Sequence, residues 1–414
     1  MKILLVHNSY QQPGGEERVF AHERALLERA GHQVFTYCRS NWETASYSPL
    51  KRLTLVGRMV WARDSKCEIA RLLHTHKPDV VHVHNTFVVI SPSIYAACKE
   101  ADIPVVQTLH NYRLLCPPGT FFRRGQPCEE CLGHSLWRGV LHGCYRESRA
   151  ATSAVALMVT AHRWLRTWTC DVNCFIALYE FSRQKFIQGG IPSEKIVVKP
   201  NFLFPDPESR TGSGEYALFI GRLNNAKRLL TLLAAWQRLR MCIPLHIVGS
   251  GPEREFLELQ ARQMGLSEVC FLGQLPHHEV IAAMKGARCL VLTSEWYEAF
   301  GLALIEAFAC GVPVICSRLV AIEEIVANGR TGLHFTPGDA DDLAQKVEWA
   351  WIHPEEMAAM GRAARAEYEA KYTAERNYEM LMQIYRRAIG RAEQGFIADV
   401  QGDAFAAAQS RQQE

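Results

Sequence analysis

Two kinds of hydrophobic spacing alternate along this chain. Short runs rich in leucine and β-branched residues are separated by longer stretches whose apolar positions recur at helical period, the pattern of parallel βαβ units. In the first half the strand-like runs are Ile3–His7, Gln33–Cys38, Val80–His84, Val105–His110, Asn173–Ala177 and Ile196–Lys199, with helical segments such as Glu16–Ala30 and Ser91–Glu100 between them. A second series starts at Tyr216–Ile220 and continues through Leu245–Val248, Val269–Leu272, Cys289–Thr293 and Val314–Cys316.

Between the two series lies Asn201–Gly214, rich in proline and glycine, which reads as a linker. The pattern predicts an α/β protein with two doubly wound, Rossmann-like domains, over 1–200 and 215–370. A late helix over 371–390 is expected, with an apolar face (Tyr378, Leu381, Met382, Ile384, Tyr385, Ile389) suited to crossing back to the first domain, followed by a frayed tail over 391–414. In open α/β sheets ligands bind beyond the carboxyl ends of the strands. Two such sheets facing each other would hold a ligand in the cleft between them.

Composition adds little to this and excludes some classes. The 414 residues are too many for one ordinary core. The apolar start Lys2-Ile3-Leu4-Leu5-Val6 stops at His7, too short for a secretory signal, and no run approaches the roughly 20 residues of a membrane span, so a cytoplasmic protein is expected. A net charge of +3 argues against a nucleic-acid surface. The charge is uneven, however: residues 113–166 hold eight arginines against three glutamates. Arg138, Arg146, Arg149, Arg163 and Arg166, interleaved with Trp137, Trp164 and Trp168, suit an anionic membrane interface, and residues 51–66 add Lys51, Arg52, Arg58, Arg63 and Lys66. The alternative is an ordinary solvated face. Of fourteen cysteines, Cys38, Cys98, Cys289, Cys310 and Cys316 sit among apolar residues and read as core thiols in a reducing compartment.

Three glycine-bearing turns in the second half follow predicted strands. Gly221-Arg222 leads to Lys227, placing a guanidinium and an ammonium where a diphosphate needs neutralising. Gly249-Ser-Gly251-Pro252 opens a helix. Glu298-Ala-Phe300-Gly301-Leu302 opens another, which carries Glu306 and is stopped by Gly311. Free amides at such a helix start suit phosphate, and two carboxylates there suit the vicinal hydroxyls of a sugar.

The ordered set Gly-Arg-Leu…Lys, Val-Gly-Ser-Gly-Pro, Phe-Leu-Gly and Glu-x7-Glu with Gly-Val-Pro-Val resembles the retaining glycosyltransferases of family 4 (group 1 type), which have the GT-B architecture. The resemblance spans almost the whole chain, and Glu-x7-Glu is its most specific part. It implies that Arg222 and Lys227 bind the diphosphate of a nucleotide-sugar donor and that Glu298 acts at the sugar hydroxyls. It further implies that Glu306 holds the ribose, that Gly251 belongs to the donor site, and that the amides of Phe300, Gly301 and Leu302 contact phosphate or sugar. No metal is implied at the diphosphate. Asn224-Asn225-Ala226 departs from the family, where an acidic residue often precedes the lysine.

In the first half, Gly14-Gly15-Glu16 matches the family's N-terminal glycine loop, which places Gly15 beside the donor and Glu16 on the acceptor side. His110 ends a strand and is expected at the reacting centre as a catalytic residue, without acting as a strong base. His84 is a further acceptor-side candidate. The acceptor is expected to be a glycan or a lipid-linked sugar. Two other readings stay open: a nucleotide-sugar epimerase of the same architecture, and a non-catalytic nucleotide-sugar-binding module.

One segment stands apart. In an insertion over about 113–150, Cys116, Cys128, Cys131 and Cys144 have the spacing Cys-x11-Cys-x2-Cys-x12-Cys. Four thiols with one Cys-x2-Cys pair can hold a structural zinc ion; the alternative is four free or core thiols.

Overall fold

Parallel strands form two separate six-stranded sheets. The structure, a computed structural model, describes residues 1–12, 14–48, 54–298 and 300–390; Lys51, Arg52 and the 391–414 tail lie outside the described residues. The strands are β1 Lys2–Ser9, β2 Gln33–Ser40, β3 Val80–Val83, β4 Val105–Thr108, β5 Phe122–Arg123, β6 Gln126–Pro127, β7 Cys174–Ala177, β8 Ile196–Val198, β9 Tyr216–Ile220, β10 Leu245–Val248, β11 Val269–Gly273, β12 Ala287–Leu292, β13 Val314–Ser317 and β14 Gly332–Phe335. The first sheet runs β2-β1-β3-β4-β7-β8 and the second β11-β10-β9-β12-β13-β14. The second is the dinucleotide-fold order, whose direction reverses between β9 and β12; the first reverses between β1 and β3. Those two points define where ligands belong. Among the described residues no helix is long and apolar enough to cross a membrane.

The sequence pattern carries strands through His84 and His110. In the structure the ladder ends sooner: His84 N still donates to Val6 O (2.9 Å) and Leu109 N to Ile176 O (2.9 Å), after which the chain turns away. Both histidines therefore stand in loops at the carboxyl edge of the sheet. Strand β14 and the β5–β6 hairpin have no counterpart in the expected strands. Cys38 corrects another expectation, for it is exposed on the edge strand β2, whereas Cys98, Cys289, Cys310 and Cys316 are buried.

A helix over 374–390 follows the second domain and returns to the first. Its Leu381, Ile384, Tyr385 and Ala388 pack on Ile3, Leu5, Val80 and Ile176. The two segments that pass between domains lie side by side, with Leu203 N donating to Tyr372 O at 3.3 Å.

The returning helix is anchored by a buried polar network. Glu23, on the first helix (Gly15–Arg29), lies 3.2 Å from Lys199 Nζ and 2.9 Å from His82 Nδ1, all three almost fully buried. Lys199 also donates to Asn377 Oδ1 (3.0 Å), and Asn377 donates to Pro200 O (2.8 Å). The His82 ring is held between Tyr385 OH and Thr108 Oγ1, each at 2.8 Å. Burial alone would raise the Glu23 pKa, but Lys199 and His82 hold it well below the usual carboxylate range. Because removing one partner of a buried pair strands the other charge, Lys199→Met should cost about 3–5 kcal/mol of stability. Adding Glu23→Gln should recover much of that loss, as read by urea unfolding of the two variants.

Candidate functional site

The donor-side residues collect at the reversal point of the second sheet. Lys227, in the loop after β9, forms an ion pair with Glu298, in the loop after β12. Ser294 Oγ donates to the same Glu298 oxygen at 2.5 Å, and the ammonium lies 5.9 Å from the Trp296 ring centre. Burial opposes ionisation of Glu298, yet Lys227, Ser294 and Trp296 outweigh it and hold the pKa low. Arg222 is exposed at the rim of this loop and has no ion-pair partner among the described residues. Gly249, at φ +142°, and Gly251 let their loop press against the neighbouring one: a Cβ would fall 1.9 Å from Gly221 O at the first and 2.1 Å from Leu223 O at the second.

Gly301 caps the helix Leu302–Ala309, whose Glu306 is 1% exposed. One Glu306 oxygen accepts from Arg18 Nη1 at 2.5 Å and lies 3.8 Å from His277 Nδ1. The other oxygen is buried and has no hydrogen-bond partner in the protein. A buried acceptor left over in this way is costly unless a ligand hydroxyl reaches it. Gly15 faces the same helix across the cleft, where a Cβ would fall 2.9 Å from Leu302 Cδ1. Phe300 packs against Leu178 and Tyr179 of the first domain, and the Tyr179 hydroxyl donates to Glu298 O while accepting from Tyr112 OH at 2.7 Å.

On the acceptor side three histidines stand at the carboxyl edge of the first sheet. His84 Nδ1 is 3.0 Å from His110 Nε2, and the rings are stacked. His84 Nε2 faces Glu23 Oε1 at 3.6 Å, an electrostatic contact that favours the proton on Nε2. His84 Nδ1 then accepts from His110 Nε2–H, and His110 Nδ1 keeps its lone pair. Burial pushes His110 well below its ordinary pKa, and burial with neighbouring histidines lowers His7 and His84 to about 4. Glu16 lies 4.0 Å from His7 Nδ1; burial and Glu17 hold its carboxyl well above the usual range. Arg113 donates to Tyr10 OH at 2.9 Å, covers the Phe87 ring at 4.0 Å, and has a buried Nε with no partner.

The structure thus pairs Lys227 with Glu298, sets Glu306 against Arg18 and Leu302 against Gly15 across the domain boundary, and groups His84, His110 and Glu16 with His7 at the carboxyl edge of the first sheet. Sequence reasoning did not single out His7, Arg18, Arg113 or Tyr179. His7 closes the expected strand Ile3–His7 and Tyr179 follows β7, so the rule that located His110 could have found them. Arg18 and Arg113 carry no such signal.

The basic-aromatic surface needs correction. Trp168 is buried and packs edge-on against Tyr95, and Arg163 donates to Leu114 O at 2.6 Å. Arg58 pairs with Asp64, and Lys66 with Glu100. Exposed side chains on the adjacent helices remain: Trp137, Leu141, Leu157, Trp164 (84% exposed) and Leu165.

Two family models match the chain: one described as Glycosyltransferase Family 4 over residues 13–206, the other as Glycosyl transferases group 1 over residues 204–367. Glycogen synthase from Mycobacterium tuberculosis is 28% identical over 94% of this chain and 95% of its own length. D-rhamnosyltransferase WbpZ from Pseudomonas aeruginosa is 35% identical over 38% of this chain and 42% of its own length. Among solved structures, Anabaena HepE in complex with UDP superposes with a TM-score of 0.67 at 19% identity, covering 92% of this chain and 99% of that one. Sucrose-phosphate synthase from Thermosynechococcus elongatus superposes at 0.68 and 19%, covering 94% and 99%. Both likenesses establish the two-domain GT-B fold.

The buried histidines set a pH dependence. Below pH 6.5 unfolded histidines take up protons that His7, His22 and His84 refuse until about pH 4. The unfolded state then binds more protons, so stability falls as pH drops through that window. Glu16, held above the usual carboxylate range, acts in the opposite direction. The melting temperature should decline steadily from pH 6.5 to 4, with a shallower decline in His7→Asn.

Proposed function

This chain belongs to the group 1, family 4 glycosyltransferases, and we propose that it carries a hexosyl unit from a nucleoside-diphosphate sugar to a hydroxyl of a glycan or lipid-linked acceptor, with retention of anomeric configuration. The observation that carries this reading is the orphaned, buried oxygen of Glu306, on the helix that follows the loop of the Lys227–Glu298 pair. Ribose hydroxyls would satisfy Glu306, the diphosphate would take Lys227 and Arg222, and the sugar hydroxyls would take Glu298. The helix amides at Phe300, Gly301 and Leu302 would add dipolar stabilisation without a metal.

The acceptor wall supports retention. The pKa of His84 is lowered to about 4 and burial pushes His110 well below its ordinary value, so both are weak bases, while burial and Glu17 hold Glu16 well above the usual carboxylate range. The departing diphosphate is then the available base. As the bond from the anomeric carbon to the diphosphate oxygen breaks, the acceptor oxygen bonds to that carbon from the same face and its proton passes to the leaving phosphate oxygen. His110, with its Nδ1 lone pair, orients a hydroxyl at the reacting centre by accepting its hydrogen bond. A hydroxyl-bearing acceptor attached to lipid also fits the exposed Trp164, Leu157 and Leu165, which with Arg149 and Arg166 suit an anionic bilayer surface.

Four measurements test this. A thermal-shift screen of nucleoside-diphosphate sugars should raise the melting temperature with one or a few donors, and NMR of the product should show the donor's anomeric configuration; an inverted product would overturn the mechanism. Lys227→Ala and Glu298→Gln should each lower kcat/KM on the order of a hundredfold, about 3 kcal/mol of barrier. His110→Ala should lower turnover more than donor affinity. Co-sedimentation with phosphatidylglycerol vesicles should be salt-sensitive and weakened by Trp164→Ser; an absence of binding at low salt would remove the membrane reading.

A further inference from the structure

The 116–144 insertion is crossed by little regular structure: the β5–β6 hairpin and the short helix Trp137–His142. A loop of this length inside a compact domain needs something to order it. Its four cysteines come from four points in the segment, and all of them line one cavity of about 10 Å³, together with Pro117, Gly139 and His142. That volume is about the size of a single small sphere. All four are free thiols; Cys116 and Cys131 are buried and Cys128 and Cys144 half-buried.

Backbone hydrogen bonds tie the cysteine-bearing turns to one another: Gly119 N donates to Cys116 O at 2.8 Å, Cys128 N to Phe121 O at 2.7 Å and Cys144 N to Gly139 O at 3.1 Å. Gly139 leaves room for the Cys131 sulfur, which would lie 3.5 Å from a Cβ there, and the Arg123 guanidinium interacts with Cys128 and Cys144. A guanidinium beside sulfur is the kind of outer partner a tetrathiolate metal site requires, since such a site carries net negative charge. Among the described residues only Glu23 with His82 and His84 brings three ligand atoms within 4.8 Å of one another, but Lys199 already fills that site with positive charge; the four cysteine sulfurs are spaced more widely around their cavity.

We propose that Cys116, Cys128, Cys131 and Cys144 form a tetrahedral structural zinc site whose task is to hold the insertion against the donor-domain loop that carries Glu298. The metal would draw the sulfurs in to about 2.3 Å from its centre. The insertion touches the donor domain at several points. Arg228 donates to Gly125 O in the hairpin turn and pairs with Glu295 at 2.7 Å. The Phe121 and Tyr297 rings meet edge to face at 6.3 Å. Lys185 pairs with Glu129, two residues before Cys131, at 2.7 Å and lies 5.8 Å from the Tyr297 ring centre. Ordering the four sulfurs therefore orders the neighbours of Glu298, which adds a role for the segment beyond the glycosyl-transfer reading and rests on that reading only for its effect on the donor.

Elemental analysis of protein purified without chelator should give about one zinc per chain. Cobalt substitution should give the charge-transfer and visible bands of a tetrahedral cobalt thiolate. Cys128→Ser and Cys144→Ser should lower metal affinity at least tenfold, while Cys38→Ser, on an exposed edge strand, should leave it unchanged. If the serine variants fail to fold, the cobalt spectrum of the unaltered chain still decides. Metal-free protein with no cobalt spectrum, or a thiol count showing disulfides among these four, overturns the site. Metal depletion and Arg228→Ala should each raise the donor KM severalfold; a zinc-loaded protein whose donor KM ignores both overturns the docking role and leaves the transferase reading intact.

Discussion

A single buried carboxylate ties the architecture to the chemistry. Glu23 sits where the first helix, β3, the end of β8 and the returning C-terminal helix meet, and each contributes a group that answers its charge or orients a group that does. The ammonium of Lys199 makes burial of that charge tolerable, and His82 is fixed in turn by Tyr385 and Thr108. The same carboxylate faces His84 and so sets which nitrogen of His84, and then of His110, carries a proton. The acidity of one core residue is thereby transmitted through two rings to the cleft.

The cleft holds its charges in pairs. Lys227 and Glu298 satisfy each other, and Arg18 satisfies half of Glu306 across the domain boundary. On the proposed reading, a donor with a negative diphosphate and neutral hydroxyls would replace these partners by kind, phosphate for carboxylate at Lys227 and hydroxyl for guanidinium at Glu306. Charged groups that are already paired need no large desolvation step when the ligand arrives, so the site stays preorganised.

Much of the fold was legible because β-branched runs report parallel strands directly, and the donor motifs were legible because strand ends point to the cleft. Strand β14 was missed because Gly332-Leu-His-Phe is short and opens on glycine. Trp168 looked like a surface aromatic because its arginine neighbours are polar, yet a tight helical turn at Thr167–Asp171 directs it inward. Arg18 was not legible at all: its partner Glu306 is 288 residues away, and an arginine on an amphipathic helix carries no mark of which charge it will meet.

The returning helix has a consequence for how this chain could be recombined. Because 374–390 completes the first domain's core, the donor unit is an insert within that domain rather than the second half of a tandem pair. The chain enters the donor unit near Leu203 and leaves it near Tyr372, at two points bonded to each other. Swapping donor specificity between relatives is thus a cassette exchange at two adjacent seams. A graft that carried everything beyond the linker would strip the acceptor domain of one wall of its own core.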